Sequence, residues 1–159
     1  MAVITPDRMI LEEGSVGNPC GPSQTLWISE AGGLTQFGAF IEVLPPGSRS
    51  SIKHWHSAED EMVYVLEGPI TLIEGDTETL LHTGDAATFR AGEPVGHFLE
   101  NRGQVATRCL VVGTRAAVDT ITYPDHDRVC RRDRSLPDDI WTDGKGNPSA
   151  SPYRLESAE

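Results

Sequence analysis

Two histidines and three acids crowd into the nine residues "KHWHSAEDE" (residues 53–61). Side chains alternate along an extended strand, so His54 and His56 share one face while Trp55 points to the other. Two imidazoles in one cavity can ligate a metal or hold each other in a hydrogen-bonded pair, and the H-x-H spacing alone leaves both readings open. The acids separate by parity. Glu61 lies an odd number of positions from His56, so an unbroken strand would send it to the opposite face. The segment "SAED" (57–60) carries turn-forming Ser and Asp. After a turn there, Glu61 starts a new strand in phase with Val63 and Val65 and returns to the face of the histidines. Glu59 and Asp60 fall in the turn and are expected as solvated carboxylates. A buried carboxylate among imidazoles needs compensation, which a divalent cation supplies. Mixed nitrogen and oxygen ligation suits Zn, Fe, Ni, Cu or Mn better than Ca or Mg.

The elements that must position these residues are short and extended. Candidate strands cover 35–44, 50–56, 61–68, 70–75, 78–84, 86–92, 97–101 and 106–114. Between them stand "LPPGS", "EGD", "HTGD", "GEPVG" and "NRGQ", the turn chemistry of an antiparallel all-β domain. Eight such strands suggest a sandwich or a barrel closed on itself. Residues 1–34 read as an N-terminal arm and 35–114 as the barrel. Residues 115–159 read as an irregular C-terminal tail, polar and proline-rich, lying over the barrel or a partner subunit, with its last ten or so residues mobile.

The 159 residues fit one domain. With 13 Lys and Arg against 24 Asp and Glu, the net charge is -11, which disfavours nucleic acid and anionic membranes as partners. The start of the chain lacks the basic and apolar regions of a signal peptide. Cys20, Cys109 and Cys130 are odd in number and form no C-x-x-C pair. Reduced thiols and a cytoplasmic location are expected, with Cys109 buried in its apolar run. Arg49, Lys53, Arg90 and Arg108 are the basic residues considered for a phosphate pocket. Lys53 alternates away from the histidines.

"GSRSSIKHWHSAEDEMVYVLEG" (47–68) resembles the first sequence motif of the cupins, G-x(5)-H-x-H-x(3,4)-E-x(6)-G. "GDAATFRAGEPVGHFLEN" (84–101) resembles the second, G-x(5)-P-x-G-x(2)-H-x(3)-N. Gly47, His54, His56, Glu61 and Gly68 match the first, with six residues instead of five before the first histidine. Gly84, Gly92, His97 and Asn101 match the second, while Arg90 stands at the proline position and four residues precede the histidine instead of two. The resemblance implies a double-stranded β-helix of the jelly-roll type and metal ligation by His54, His56, Glu61 and His97. It also implies one divalent transition metal per chain (Fe, Mn, Ni or Zn) and a homodimer. Four protein ligands on an octahedral ion leave positions for a chelating small molecule such as an enol, diketone, hydroxy acid or catechol-like compound. Oxygen-dependent cleavage of the dioxygenase type is the favoured expectation. The alternatives are an isomerase or lyase acting on a sugar-like substrate, or a barrel that binds a small ligand without turning it over.

Overall fold

The computed structural model describes residues 2–14 and 17–153. The expected mobility at the chain's end concerns, from residue 154 on, positions outside the described residues. Nearly all regular structure is extended: β1 (Ile10–Glu13), β2 (Gln24–Trp27), β3 (Phe37–Leu44), β4 (Trp55–His56), β5 (Glu61–Glu67), β6 (Ile70–Glu74), β7 (Thr77–Leu81), β8 (Ala86–Phe89), β9 (His97–Glu100), β10 (Thr107–Thr114), β11 (Val118–Tyr123), β12 (Arg128–Asp133) and β13 (Ile140–Thr142). One short helix, α1 (Ile28–Gly32), follows β2. No helix among the described residues is long and apolar enough to cross a membrane.

Every pairing between strands is antiparallel. One sheet has the order β1-β2-β3-β10-β5-β8, a second β7-β6-β9, and a third β13-β12-β11-β4. The first two bury their inner faces against each other. Val63 and Val65 of β5, Val111 of β10, Ile70 and Leu72 of β6 and Leu99 of β9 meet in one apolar cluster. Alternation along β5 does the sorting, since Val63 and Val65 are buried while Tyr64 and Leu66 are exposed. This is the jelly-roll arrangement that the resemblance implies.

Both motif ends are tied down by backbone chemistry. Gly47 has φ 80°, a conformation that favours glycine, and lets "PPGS" turn tightly enough for the Gly47 amide to donate to the Asn101 carbonyl at 2.8 Å. Asn101 is fully buried. Its Nδ2 donates to the Leu44 and Val105 carbonyls at 2.7 and 2.8 Å, and its Oδ1 accepts the Gly103 amide at 2.9 Å. The asparagine of the second motif is thus a clamp on a loop.

Three expectations need correction. Residues 118–142 were expected to be irregular, yet they supply β11, β12 and β13, and β11 pairs with β4 through Ile121↔His56 and Thr122↔Trp55. A second apolar cluster of Cys20, Ile52, Ile121, Tyr123 and Cys130 holds this sheet on the barrel. The N-terminal arm contributes β1 and β2 to the six-stranded sheet. The expected strand 50–56 narrows to Trp55–His56, because the preceding residues meet β9 only at separated points, including single bridges Arg49↔Glu100 and His54↔His97.

Candidate metal centre

Four side chains from three parts of the chain converge. His54 and His56 come from β4 and the residue before it, Glu61 opens β5, and His97 opens β9. The turn at 57–60 restores the parity of Glu61 as expected. Glu61 Oε2 lies 4.0 Å from His54 Nε2, 3.6 Å from His56 Nε2 and 3.1 Å from His97 Nε2. Ligand atoms about 2.1 Å from one ion stand about 3 Å apart when adjacent and about 4 Å apart when opposed, so these separations suit donors around a shared cation. The ligating atoms of His54, His56 and Glu61 all fall within 4.8 Å of one another.

The far nitrogens prepare two of the rings. His54 Nδ1 donates to the Ile52 carbonyl at 2.8 Å, which leaves Nε2 with its lone pair facing the cluster. His56 Nδ1 donates to Asp119 Oδ2 at 2.6 Å. A carboxylate behind a metal-facing histidine fixes the tautomer and raises basicity. The His97 ring stacks on Phe89 with centroids 3.5 Å apart and planes 3° from parallel. Its Nδ1 is buried without a partner among the described residues.

Burial pushes His54 down to about 4, with the neighbouring imidazoles adding to the effect against the pull of Glu61, so its ring is neutral near pH 7. For His56 burial also acts downward, but the hydrogen bond to Asp119 and the charges of Glu61 and Asp119 outweigh it and raise the pKa. For Glu61 burial acts upward. The His97 hydrogen bond and the three imidazoles overcome it and hold the carboxyl at about 2. Neutral imidazole beside a firmly ionised carboxylate is the donor set that a divalent transition ion requires.

Glu59 was expected in solvent and is buried instead, at 8% exposure. Its Oε1 accepts the Ala116 amide at 2.9 Å and Arg134 Nη2 at 2.8 Å, so the turn is anchored to the C-terminal sheet. Asp60 is exposed as expected. His56, Glu59 and Asp119 form a second group with metal-ligand spacing. Asp119, however, already accepts from His56, Ser57 Oγ and the Ala58 amide, and Glu59 is engaged as above. These carboxylates support the centre.

Outside the four converging side chains the mouth opens into a cavity of about 270 Å³ whose lining includes Arg115, Arg132, Arg134, Tyr123 and Tyr153 together with His54, His56 and Glu61. Arg132 is gripped from outside by Asp139 at 2.8 and 3.2 Å, Arg134 by Glu59 and the Ala116 carbonyl, and Arg115 by Glu30. Of Arg49, Lys53, Arg90 and Arg108, Arg90 borders the site, in a small pocket that it lines with His56, Glu61 and His97. Arg49 and Lys53 line a groove outside the barrel, Arg108 pairs with Glu67, and Arg90 is an exposed rim residue. Asp119 and the three arginines were missed because the segment that carries them had been read as irregular.

A jelly roll that holds two histidines and a glutamate at metal-ligand spacing, with a third histidine hydrogen-bonded to that glutamate, suits a metal centre. A family profile described as Cupin domain matches residues 40–113, and the chain belongs to the cupin superfamily. It is similar across 96% of its length to 99% of a sugar phosphate isomerase from a cupin superfamily, from Silicibacter pomeroyi, at 34% identity and a TM-score of 0.84. A protein from Acidithiobacillus ferrooxidans, provisionally described as a sugar phosphate isomerase, is 27% identical over 91% of this chain and 92% of its own, with a TM-score of 0.80. A predicted oxalate decarboxylase from Thermotoga maritima, 24% identical over 72% of this chain and all of its own, shares the fold at a TM-score of 0.61. No functionally curated protein matches the chain.

Proposed function

We propose that this protein is a metal-dependent isomerase of a phosphorylated sugar, with the ion held by His54, His56, Glu61 and His97. The observation that carries the reading is the placement of Arg115, Arg132 and Arg134 in the cavity that also reaches the metal-facing donors. Each of the three guanidinium groups is paired with a carboxylate, Glu30, Asp139 or Glu59, so the support for an anionic ligand comes from the N–H groups left over and not from net positive charge. Each retains a nitrogen that makes no hydrogen bond among the described residues: Arg132 Nη1, Arg134 Nη1 and Arg115 Nε. Their carboxylate partners hold the forks in place, as planar recognition of phosphate needs. The similarity to two proteins described as sugar phosphate isomerases supports the same reading. A bound divalent ion would supply Lewis acidity toward a carbonyl or hydroxyl oxygen.

An anion subsite beside a Lewis-acid centre shifts the preference from oxygen-dependent cleavage toward isomerisation, since cleavage of an enol or catechol makes no use of three arginines. Metal-loaded protein is expected to interconvert aldose and ketose phosphates and to leave the corresponding free sugars unchanged. Equal turnover of phosphorylated and free sugars would remove the role of the arginines. Asp119 gives an independent check on the centre. Asp119→Asn should weaken metal binding about 10–100-fold, read by competition with a coloured chelator, because the amide cannot hold the His56 ring as a carboxylate does. Asp60→Ala, on an exposed carboxylate, should leave binding unchanged.

A further inference from the structure

Beyond the metal-facing donors the barrel encloses a second chamber of about 160 Å³, bounded by Phe40, Val63, Phe89, Leu99 and Val111. His54 and Glu61 line both this chamber and the mouth, so the centre lies between an arginine-lined entrance and an apolar interior. Glu42 also lines the inner chamber. It follows Phe40 and precedes Leu44 on the inward face of β3, opposite Cys109 of β10. At 7% exposure it is a buried carboxyl to which no described side chain brings a hydrogen bond or a positive charge. A carboxyl group in that position costs stability. The fold provides it with nothing but an opening toward the site.

We propose that Glu42 is the proton-transfer residue of the reaction, meeting the substrate's reacting carbons from the inner chamber. The inference rests on the isomerase reading. In the step assigned to it, the Glu42 carboxylate removes the proton from the carbon beside the carbonyl. The C–H bond breaks, an O–H bond forms on Glu42, and the electron pair becomes the double bond of an enediolate. The hydroxyl hydrogen passes from one substrate oxygen to the other. Glu42 then returns its proton to the former carbonyl carbon, so the product is an isomer and no oxidant or reductant takes part. Burial is the main cause that raises the Glu42 carboxyl above the usual carboxylate range, so it holds a proton more readily than an exposed carboxyl would.

The test uses metal-loaded full-length protein in deuterated water, comparing wild type with Glu42→Gln and Glu42→Asp. Gln keeps the shape and removes the titrating group, so metal content should be unchanged and the thermal midpoint should not fall. Turnover of the aldose phosphate should drop at least about 100-fold, with Asp retaining more than Gln, and any solvent deuterium taken up by wild-type product should sit at the carbon that receives the proton. Turnover by Glu42→Gln within tenfold of wild type, or Glu42→Asp no more active than Glu42→Gln, would overturn the assignment while leaving the isomerase reading intact. A wild-type protein that isomerises no phosphorylated sugar would overturn both.

Discussion

A His54→Ala/His97→Ala double variant should purify with metal at background, against about one ion per chain for the wild type. These two rings come from different motifs, whose backbones are joined by the single bridge between residues 54 and 97. Removing both leaves His56 and Glu61, too few donors to hold a transition ion at the concentrations met in purification. The loss should exceed the about 10–100-fold expected for an outer partner such as Asp119. Removing His97 also strips a stacked ring from Phe89, so folding has to be monitored separately. Added metal should raise the thermal midpoint of the wild type, because only the folded chain assembles the site, and should leave that of the variant where it was. Near-stoichiometric metal in the variant would sink the ligand assignment.

The second large effect concerns the entrance. Arg132→Gln/Arg134→Gln should raise KM for a sugar phosphate by about 100-fold or more with a smaller change in kcat, the pattern of lost ground-state binding. Each charge-assisted hydrogen bond to the phosphate is worth about 1.5–3 kcal/mol, so loss of two reaches that range. Inorganic phosphate should compete with substrate in the wild type and lose that ability in the variant. Arg134 also neutralises buried Glu59, so some loss of thermal stability is expected alongside. A variant that is destabilised but keeps its KM and its inhibition by phosphate would show that the arginines only fasten the C-terminal sheet to the turn.

The barrel was readable because its strands obey simple rules. Apolar alternation in "EMVYVLE" and turn residues at both ends located β5 to within one residue. The same parity placed Glu61 beside His54 and His56 once a turn was assumed at 57–60. What was not readable came from composition outweighing pattern. The stretch "VDTITY" alternates buried Asp119, Ile121 and Tyr123 with less buried neighbours, a period-two signal hidden within a polar, proline-bearing segment. Overlooking it hid Asp119, Arg132 and Arg134 together, because one sheet delivers all three. Glu59 misled for another reason. Its burial depends on Arg134, 75 residues away in sequence, and local turn chemistry carries no trace of such a partner. Glu42 had a local signal, a lone acid in phase with Phe40 and Leu44 on a core-facing strand, and its meaning emerged only when the chamber in front of it was visible.

A divalent ion in this centre is proposed to act as a Lewis acid on a phosphorylated sugar. The most direct measurement strips the metal, restores Zn(II), Mn(II), Fe(II) or Ni(II) separately, and follows aldose-to-ketose phosphate conversion by NMR while oxygen is recorded. The metal-free protein should be inactive, and Zn(II), which has no redox chemistry of its own, should restore turnover along with Mn(II), with no oxygen consumed. Full activity without metal, or turnover confined to Fe(II) and accompanied by oxygen uptake, would contradict the account.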